Sequence, residues 1–308
     1  MEWMAWKFFV LEQPLRKLEH CPGRLGILEQ RLGVVERWAR GLGLMESRLR
    51  LVERRPGRIG FLEAVTQGVG CPLDPRMKIQ SIRASGLVVA AGSSRRMGFD
   101  KTTALLSGRP LVSWSLEAFE ACDDIGPCAL VCAASRLDEF AALAAPYKKF
   151  RLVVPGGAER ADSVRNGLHA LAPTSPTMVA VHDAARPLIT AALISQIVAA
   201  ASDSGAAVAA EPVGDSLHRA GGSSCLVETV SREGLWAMQT PQVAGLAVLL
   251  DALDSARREG AAITDEIAAL IRTGLQPKAV FHGVLNFKVT FPRDLALAQA
   301  VFDMQTRT

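Results

Sequence analysis

Short, continuously apolar runs alternate with longer segments of helical periodicity between residues 86 and 302. The runs are rich in valine and alanine, which is typical of parallel strands that are covered on both faces. They predict six strands: Gly86–Ala91, Cys128–Ala133, Arg151–Val154, Met178–His182, Ala207–Glu211 and Ala279–His282. The helical spacing predicts seven helices: Leu111–Cys122, Leu137–Ala145, Ala161–Ala172, Ala191–Ala201, Ala244–Arg258, Asp265–Thr273 and Pro292–Phe302. This alternation favours an α/β fold with an open, doubly wound, mostly parallel sheet.

The first quarter of the chain follows a different pattern, in which similar units begin 17 residues apart, at Leu11, Leu28, Met45 and Leu62. Each full unit offers about two turns of amphipathic helix and then a breaker such as Pro56-Gly57, which excludes a continuous coiled coil. Two interpretations remain open for residues 1–76. They are either a poorly ordered extension or an array of short helical repeats that binds a partner or an anionic surface.

The charge distribution separates the same segment from the rest of the chain. The net charge is +4; residues 1–76 hold 13 Lys plus Arg against 9 Asp plus Glu, whereas residues 77–308 are balanced. We therefore predict a junction at Met77 between the extension and one domain of residues 77–308. Glutamate interleaves with arginine throughout the extension, so no one-signed basic stripe forms and the pattern argues against nucleic-acid binding.

The composition is that of a globular chain, with 49% hydrophobic and 21% charged residues. No apolar stretch is long enough to cross a bilayer, which takes about 18 residues, and the first residues lack the order of a secretory signal. We expect a cytoplasmic protein that is not bound to membranes. The six cysteines include no C-x-x-C pair, which favours reduced and mostly buried thiols.

The residues after each strand are the first candidates for chemistry, because ligands of doubly wound sheets lie beyond the carboxyl ends of the strands. The first strand is followed by Gly92-Ser93-Ser94-Arg95-Arg96 and, five residues later, by Lys101. A small loop leaves backbone N–H groups free to face an anion, and the basic side chains add positive charge. The loop matches neither of the two common glycine-rich nucleotide motifs. It predicts a polyphosphate site, with an ordinary turn as the alternative.

This A-A-G-x-x-x-R-M loop followed by lysine resembles the signature of the nucleotidyltransferases that make activated sugars, alcohols and pterins. Further strings follow in order: Gly156–Leu168 (GGAERADSVRNGL), Val181–Pro187 (VHDAARP), Thr240-Pro241-Gln242, Thr264-Asp265-Glu266 and Asn286–Thr290 (NFKVT). Over about residues 84–303 they resemble the 2-C-methyl-D-erythritol 4-phosphate cytidylyltransferases of the non-mevalonate isoprenoid pathway. The resemblance implies a Rossmann-like nucleotidyltransferase fold with a projecting β-arm. It also implies transfer of CMP from CTP to the phosphate of methylerythritol phosphate.

The resemblance assigns the catalytic charges. Arg96 and Lys101 would neutralise the departing pyrophosphate, and Lys288 would reach the α-phosphate. Asp183, just after a strand, would hold Mg²⁺, a cation that prefers one or two carboxylates together with phosphate oxygens. A helix cap or a salt bridge to Arg186 is the alternative for Asp183.

The nucleotide side consists of small residues. The resemblance assigns Ala90, Ala91, Gly92, Gly157, Ser163, Asp183 and Ala184 to the nucleotide. Small side chains permit close approach, so that backbone amides can contact the edge of the base. Ser163 has a structural alternative, a hydrogen bond in the first turn of its helix. Ala158 departs from the family, in which aspartate is common.

The acceptor side is assigned to Ser216, Arg232 and Lys288, with the Arg232 fork suited to a phosphate group. In the family, residues 211–233 form an arm that completes the acceptor site of a second subunit, so we expect a homodimer. His218 and Leu285, both on the acceptor side, depart from the usual residues of the family. The alternatives are a molybdopterin cytidylyl- or guanylyltransferase and a nucleotide-binding regulator without turnover.

Overall fold

The computed structural model describes the backbone of residues 49–55 and 58–64, and describes residues 83–92 and 100–305 in full except for the side chain of the last. The chain divides into two units, residues 1–77 and 78–308. In the first unit, β1 (Leu49–Arg55) and β2 (Arg58–Ala64) pair antiparallel, with Arg55 opposite Arg58. The short helices predicted from the repeat are therefore wrong for residues 49–55 and 58–64, which form strands. The rest of the extension lies outside the described residues.

The second unit contains all six predicted strands and all seven predicted helices, with boundaries that shift by no more than three residues. Its strands are β3 (Ala84–Val89), β4 (Leu105–Leu106), β5 (Arg109–Pro110), β6 (Ile125–Cys132), β7 (Phe150–Pro155), β8 (Met178–Asp183), β9 (Ala206–Pro212), β10 (Leu217–Ala220), β11 (Leu226–Val230), β12 (Trp236–Gly245) and β13 (Lys278–Val280). Its helices are α1 (Leu111–Ala121), α2 (Leu137–Ala144), α3 (Arg160–Leu171), α4 (Ala191–Ser204), α5 (Leu246–Arg258), α6 (Glu266–Arg272) and α7 (Pro292–Gln305).

Seven of these strands form one sheet in the order β13-β9-β12-β8-β3-β6-β7. All neighbours are parallel except β12, which runs antiparallel to both β8 and β9. The mostly parallel α/β fold is confirmed. The sequence analysis predicted no strand at β12, because Gln239, Thr240, Pro241 and Gln242 interrupt its apolar run. Its antiparallel direction brings these polar residues to the carboxyl end of β8.

The core lies on both faces of the sheet. On one face Val88 and Leu130 pack with Phe119 of α1 and Ile194 of α4. On the other face Leu87 and Val131 pack with the apolar sides of α3, α5 and α6. Helix α3 lies especially close to β3, since a Cβ atom added to Gly167 would stand 2.3 Å from a methyl carbon of Leu87. This tight packing fixes the position of the α3 N-terminus relative to β3 and its neighbour β8.

The segment that connects β9 to β12 in the sequence forms a hairpin of β10 and β11 that projects from the sheet, as the predicted arm requires. Its side chains are largely exposed, among them the apolar Leu226 (66% exposed) and Val227 (65%). The strands that enter and leave the hairpin are paired at its base, with Pro212 opposite Trp236. The arm is therefore a continuation of an antiparallel pair of the main sheet.

The cysteines of the described residues are unpaired thiols. Cys122, Cys128 and Cys132 are buried, and burial raises the pKa of the Cys128 thiol to about 12 and that of Cys132 to about 11. Cys225, in the turn of the arm, is exposed, so three of the four described cysteines agree with the prediction of mostly buried thiols. None of the helices in the described part of the chain has the length and apolarity that crossing a bilayer requires.

Candidate active site

Asp183 is the last residue of β8, and its carboxylate lies at the carboxyl edge of the sheet, where the sequence predicts ligands. Only 7% of the residue is exposed. Its Oδ1 accepts a hydrogen bond from Arg160 at 2.9 Å, and its Oδ2 accepts one from Lys288 at 2.6 Å. Burial by itself raises the pKa of Asp183, but the two cations outweigh burial and hold that pKa well below the ordinary range. The carboxylate is therefore ionised at neutral pH.

The ion-pair partners of Asp183 are not the one considered in the sequence analysis. Arg186 instead donates hydrogen bonds to the carbonyl oxygens of Asn286 (2.8 Å) and Met238 (3.4 Å). Burial lowers the pKa of Arg186, and its Nε atom has no hydrogen-bond partner. A salt bridge to Arg186 is thus not what holds Asp183.

His182, the residue before Asp183, has a structural role at the end of β8. The ring is fully buried, and burial lowers its pKa to about 4, so it is neutral at pH 7. Its Nε2 lies 3.2 Å from the carbonyl oxygen of Arg186, which only accepts, so Nε2 carries the proton. Its Nδ1 then accepts from Thr240 Oγ1 at 2.9 Å, and the same oxygen accepts from the backbone N–H of Asp183 at 3.1 Å. With no ring face towards solvent, His182 holds the strand end in place.

Lys288 and Lys101 are brought to the same place by the segment of residues 286–290, which lies against the end of β8. Val289 N–H donates to the carbonyl oxygen of Ala185 at 2.8 Å, which anchors this segment. Lys101 Nζ donates to the carbonyl oxygen of Val289 at 3.1 Å, next to Lys288. The structure therefore joins Lys101, Asp183 and Lys288 in one cluster. Arg96, the other predicted catalytic cation, lies outside the described residues.

The predicted nucleotide residues surround the same edge. Ala90, Ala91 and Gly92 follow β3, and the N–H groups of Ala90 and Ala184 are already bonded to the carbonyl oxygens of Val131 and Val89. Gly157 N–H is likewise bonded to the Ser163 hydroxyl at 3.1 Å. The backbone N–H groups of Ala90, Gly157 and Ala184 are therefore already used and do not donate to a base. Ala90 and Ala184 are also buried, with 6% and 0% of each residue exposed, so their contact with a nucleotide stays a prediction.

Ser163 organises the loop that precedes α3. Its hydroxyl accepts from Gly157 N–H and donates to the carbonyl oxygen of Glu159 at 3.1 Å. Beside it, a Cβ atom on Gly156 would stand 2.4 Å from the Ala91 methyl group and 2.8 Å from the Ser163 hydroxyl. The hydroxyl therefore makes the first-turn hydrogen bond that was the structural alternative for this residue. Contact with a nucleotide stays a prediction.

Replacing Ser163 by Ala removes both hydrogen bonds at a residue that is 2% exposed. We expect the free energy of unfolding to fall by about 1–3 kcal/mol, because two hydrogen bonds are lost and each contributes about 0.5–1.5 kcal/mol. Chemical denaturation monitored by circular dichroism measures the change. Ser204→Ala is the matched control, since its hydroxyl bonds backbone carbonyls at the exposed end of α4. Equal losses in the two variants would contradict the structural role of Ser163.

Two residues that the sequence analysis did not select belong to the cluster. Arg160, the first residue of α3, donates to Asp183 and also makes two hydrogen bonds to Glu266, at 2.6 and 3.0 Å. Burial lowers the pKa of Arg160, but Glu266 and Asp183 outweigh burial and raise it above its ordinary value. Both residues stand in the strings that carry the family resemblance. Each begins a helix, however, and nothing in the one-dimensional pattern distinguishes them from ordinary surface charges.

The predicted acceptor residues are in the arm. Ser216 is exposed, and the Arg232 guanidinium donates to the carbonyl oxygen of Gly214 within the arm. Within the part of the chain that the structure describes, neither is hydrogen-bonded to the cluster around Asp183. Among the described residues, no hydrogen bond of Ser216 or Arg232 therefore connects the two halves of the predicted site.

The cluster suits an anionic ligand. Its cations Lys101, Lys288 and Arg160 outnumber its carboxylates, Asp183 and Glu266, so the local charge is positive. Residues 83–92 and 100–305 contain no group of three or more side chains that could hold a metal ion. A single ionised carboxylate fits Mg²⁺ when phosphate oxygens and water supply the other ligands.

Comparison with known proteins gives a consistent result. The sequence profile described as 2-C-methyl-D-erythritol 4-phosphate cytidylyltransferase matches residues 85–304. A protein of that name from Cupriavidus pinatubonensis is 40% identical over 242 residues, covering 72% of this chain and 94% of the relative. Another from Pelotomaculum thermopropionicum is 38% identical over 224 residues, covering 71% and 94%. The crystal structure of the cytidylyltransferase from Thermus thermophilus is 30% identical, with a TM-score of 0.59, and covers 70% of this chain and 98% of that one.

Proposed function

Since the chain belongs to the 2-C-methyl-D-erythritol 4-phosphate cytidylyltransferase family, we propose that the cluster around Asp183 is the place where it performs the reaction of that family. The enzyme transfers CMP from CTP to 2-C-methyl-D-erythritol 4-phosphate. The products are 4-diphosphocytidyl-2-C-methyl-D-erythritol and pyrophosphate, in the synthesis of isoprenoid precursors by the non-mevalonate pathway. The observation that carries the assignment is the position of Asp183 between Lys288 and Arg160, with Lys101 adjacent.

In the transfer, a phosphate oxygen of the acceptor attacks the α-phosphorus of CTP in line. A new P–O bond forms, the bond from the α-phosphorus to the bridging oxygen breaks, and pyrophosphate leaves with the electron pair. A phosphate monoester is already nucleophilic at neutral pH, so the protein needs no general base and acts by positioning and charge stabilisation. The buried, neutral His182 is consistent with this scheme, because it keeps Asp183 in place and takes up no proton.

The cationic side chains offset the repulsion between two polyanions. Lys288 is suited to the α-phosphate, because its ammonium already lies on the carboxylate at the centre of the cluster and its side chain is 37% exposed. Lys101, held on the carbonyl of Val289, and Arg96 are suited to the β- and γ-phosphates. Arg232 is suited to the phosphate of the acceptor through its planar fork.

Asp183 is the residue that would hold Mg²⁺. The ion would bring the phosphate oxygens of CTP to the ionised carboxylate and lower the negative charge that the nucleophile meets. Lys288 also binds that carboxylate, so a bound ion would compete with its ammonium for the same anionic centre, and the partly exposed lysine could then turn towards phosphate. The unpaired cysteines favour a reducing compartment, and we place the reaction in the cytoplasm.

We propose that the acceptor site is completed by a second copy of the chain. Ser216 and Arg232 lie in an arm whose side chains are exposed, and its apolar Leu226 and Val227 would be covered by a partner subunit. A homodimer in which each arm reaches the cluster of the other subunit unites the two halves of the site.

Complementation between inactive variants tests the dimer. Lys288→Met and Arg232→Met should each lose nearly all activity when expressed alone. Co-expression should restore activity, because a mixed dimer contains one site with an intact Lys288 and an intact arm from its partner. Affinity purification with two different tags isolates the mixed dimer, and pyrophosphate release measures its turnover. A mixed dimer without activity, or a monomer in sedimentation, would contradict the exchange of arms.

Substrate identity is tested by pyrophosphate release from CTP with methylerythritol phosphate or with molybdopterin as the acceptor. We expect turnover only with methylerythritol phosphate, and little with GTP in place of CTP. Release with the pterin alone would favour the related pterin enzymes. Stoichiometric CTP binding without turnover would favour a regulator.

A further inference from the structure

The Arg160 guanidinium lies between two carboxylates that come from different parts of the sheet edge. One side binds Oδ1 of Asp183, and the other binds both oxygens of Glu266 in a two-point pair. The planar fork of arginine suits this arrangement, whereas a lysine ammonium offers a single point of charge. Arg160 therefore ties the end of β8 to the first residue of α6.

Glu266 is the fixed end of this connection. It is 1% exposed, and the residues around it are held by several hydrogen bonds. Gln242 of β12 accepts from the backbone N–H of Ile267 at 3.0 Å and donates to Asp265 at 3.3 Å. Gln242 is paired with Val181, two residues before Asp183. These contacts fix the distance between Glu266 and the end of β8. They also fix the position of the Arg160 guanidinium that Glu266 holds.

The two oxygens of Asp183 consequently differ. Oδ1 is bound by Arg160, a guanidinium held on its other side by a buried carboxylate. Oδ2 is bound by Lys288, whose side chain is 37% exposed and has no second carboxylate partner in the described part of the chain. Lys288 can therefore turn away from Oδ2 into solvent, whereas Arg160 could not leave Oδ1 without leaving a buried charge unpaired.

We propose that Glu266 is a positioning residue for the transfer reaction. Glu266 holds Arg160, and Arg160 in turn binds Oδ1 of Asp183. This contact fixes the rotation of the carboxylate and keeps Oδ1 occupied, which leaves Oδ2 as the oxygen that receives a divalent cation. The proposal rests on the proposed metal-binding role of Asp183. Arg160 also begins α3, directly after the loop that contains Gly157, so the same connection sets the distance between that loop and the metal ligand.

Calorimetric titration of the full chain with CTP, once in EDTA and once in Mg²⁺, measures how much the metal tightens binding. The readout is the ratio of the two dissociation constants. Glu266→Gln preserves the shape of the side chain but removes its charge. We expect the ratio to fall by about 10-fold or more, as is typical when a residue that orients a metal ligand is lost. Binding in EDTA should stay at the wild-type value.

Glu259→Gln is the matched control, because Glu259 also pairs with an arginine, Arg272, but in an exposed position after α5. Its ratio should equal that of the wild type. Arg160→Lys is the second variant: it keeps the positive charge but lacks the planar fork that binds both oxygens of Glu266 and Oδ1 of Asp183, and it should show the same loss as Glu266→Gln. Thermal unfolding by circular dichroism confirms that each variant is folded. If Glu266→Gln does not fold, Arg160→Lys decides the question.

A wild-type ratio in a folded Glu266→Gln or Arg160→Lys variant would overturn the proposal. Asp183→Asn separates this failure from a failure of the proposed function. If Asp183→Asn also keeps the wild-type ratio, Asp183 does not hold the metal. If Asp183→Asn loses the metal effect while Arg160→Lys keeps it, only the positioning role of Glu266 is lost.

Discussion

Asp183→Asn is expected to lower turnover of CTP by about 10²–10³-fold, the usual cost of removing one group that stabilises transition-state charge. The amide keeps the size of the carboxylate but has neither the charge for a metal ion nor two acceptor oxygens. Lys288 loses its ion-pair partner and Arg160 loses one of two. Both defects arise at the centre of the cluster, so we expect kcat to fall more than KM rises. Steady-state measurement of pyrophosphate release gives both constants.

Two further measurements make this result interpretable. Arg160 keeps Glu266 and Lys288 is partly exposed, so the variant should still unfold cooperatively. Asp254→Asn is the matched control, because it removes a carboxylate that pairs with Arg165 of α3, away from the cluster. It should have wild-type turnover. An Asp183→Asn enzyme with undiminished kcat would refute the assigned site.

Lys101→Met is expected to lower kcat by about 10²-fold or more, since it deletes a cation that acts on charge developing on pyrophosphate. Methionine retains the length of the apolar stem, so the packing is little changed. Because Lys101 bonds the carbonyl of Val289 beside Lys288, its ammonium lies in the cluster before a ligand arrives. The loss should appear in kcat and in kcat/KM alike, as for an interaction made only in the transition state.

Lys278→Met is the control for Lys101, because Lys278 is an exposed lysine on β13. It should leave both constants unchanged. If Lys101→Met raised only the KM for CTP, the lysine would contribute to ground-state binding and not to the departure of pyrophosphate. Arg96 invites the same measurement, although it lies outside the described residues.

The fold was largely predictable because each parallel strand contains a short, mostly apolar run, which sets it apart from the flanking amphipathic helices. β12 was missed for the opposite reason, since the residues that break its apolar pattern are the ones that serve the site. Gln242 and Thr240 are polar because they hold α6 and His182, and that purpose becomes visible only when distant segments are brought together.

The site divides in the same way. Asp183 was identifiable because a charged residue directly after a buried strand has one place to go, the ligand edge of the sheet. Arg160 and Glu266 are 106 residues apart and each begins a helix, where charged residues are ordinary. Their ion pair depends on the packing of α3 and α6 on one face of the sheet, which no local pattern encodes. The arm was predicted from the resemblance to the family, in which residues 211–233 form it.

Because Pro212 pairs with Trp236 at the base of the arm, the arm and the rest of the domain can change independently during evolution. Insertions or deletions between these residues alter how far the hairpin reaches without shifting the register of any strand that carries the nucleotide side. The preference for an acceptor can therefore change through the arm while the chemistry of cytidylyl transfer is retained. Among related enzymes of this architecture, variation in length should accordingly concentrate between β9 and β12.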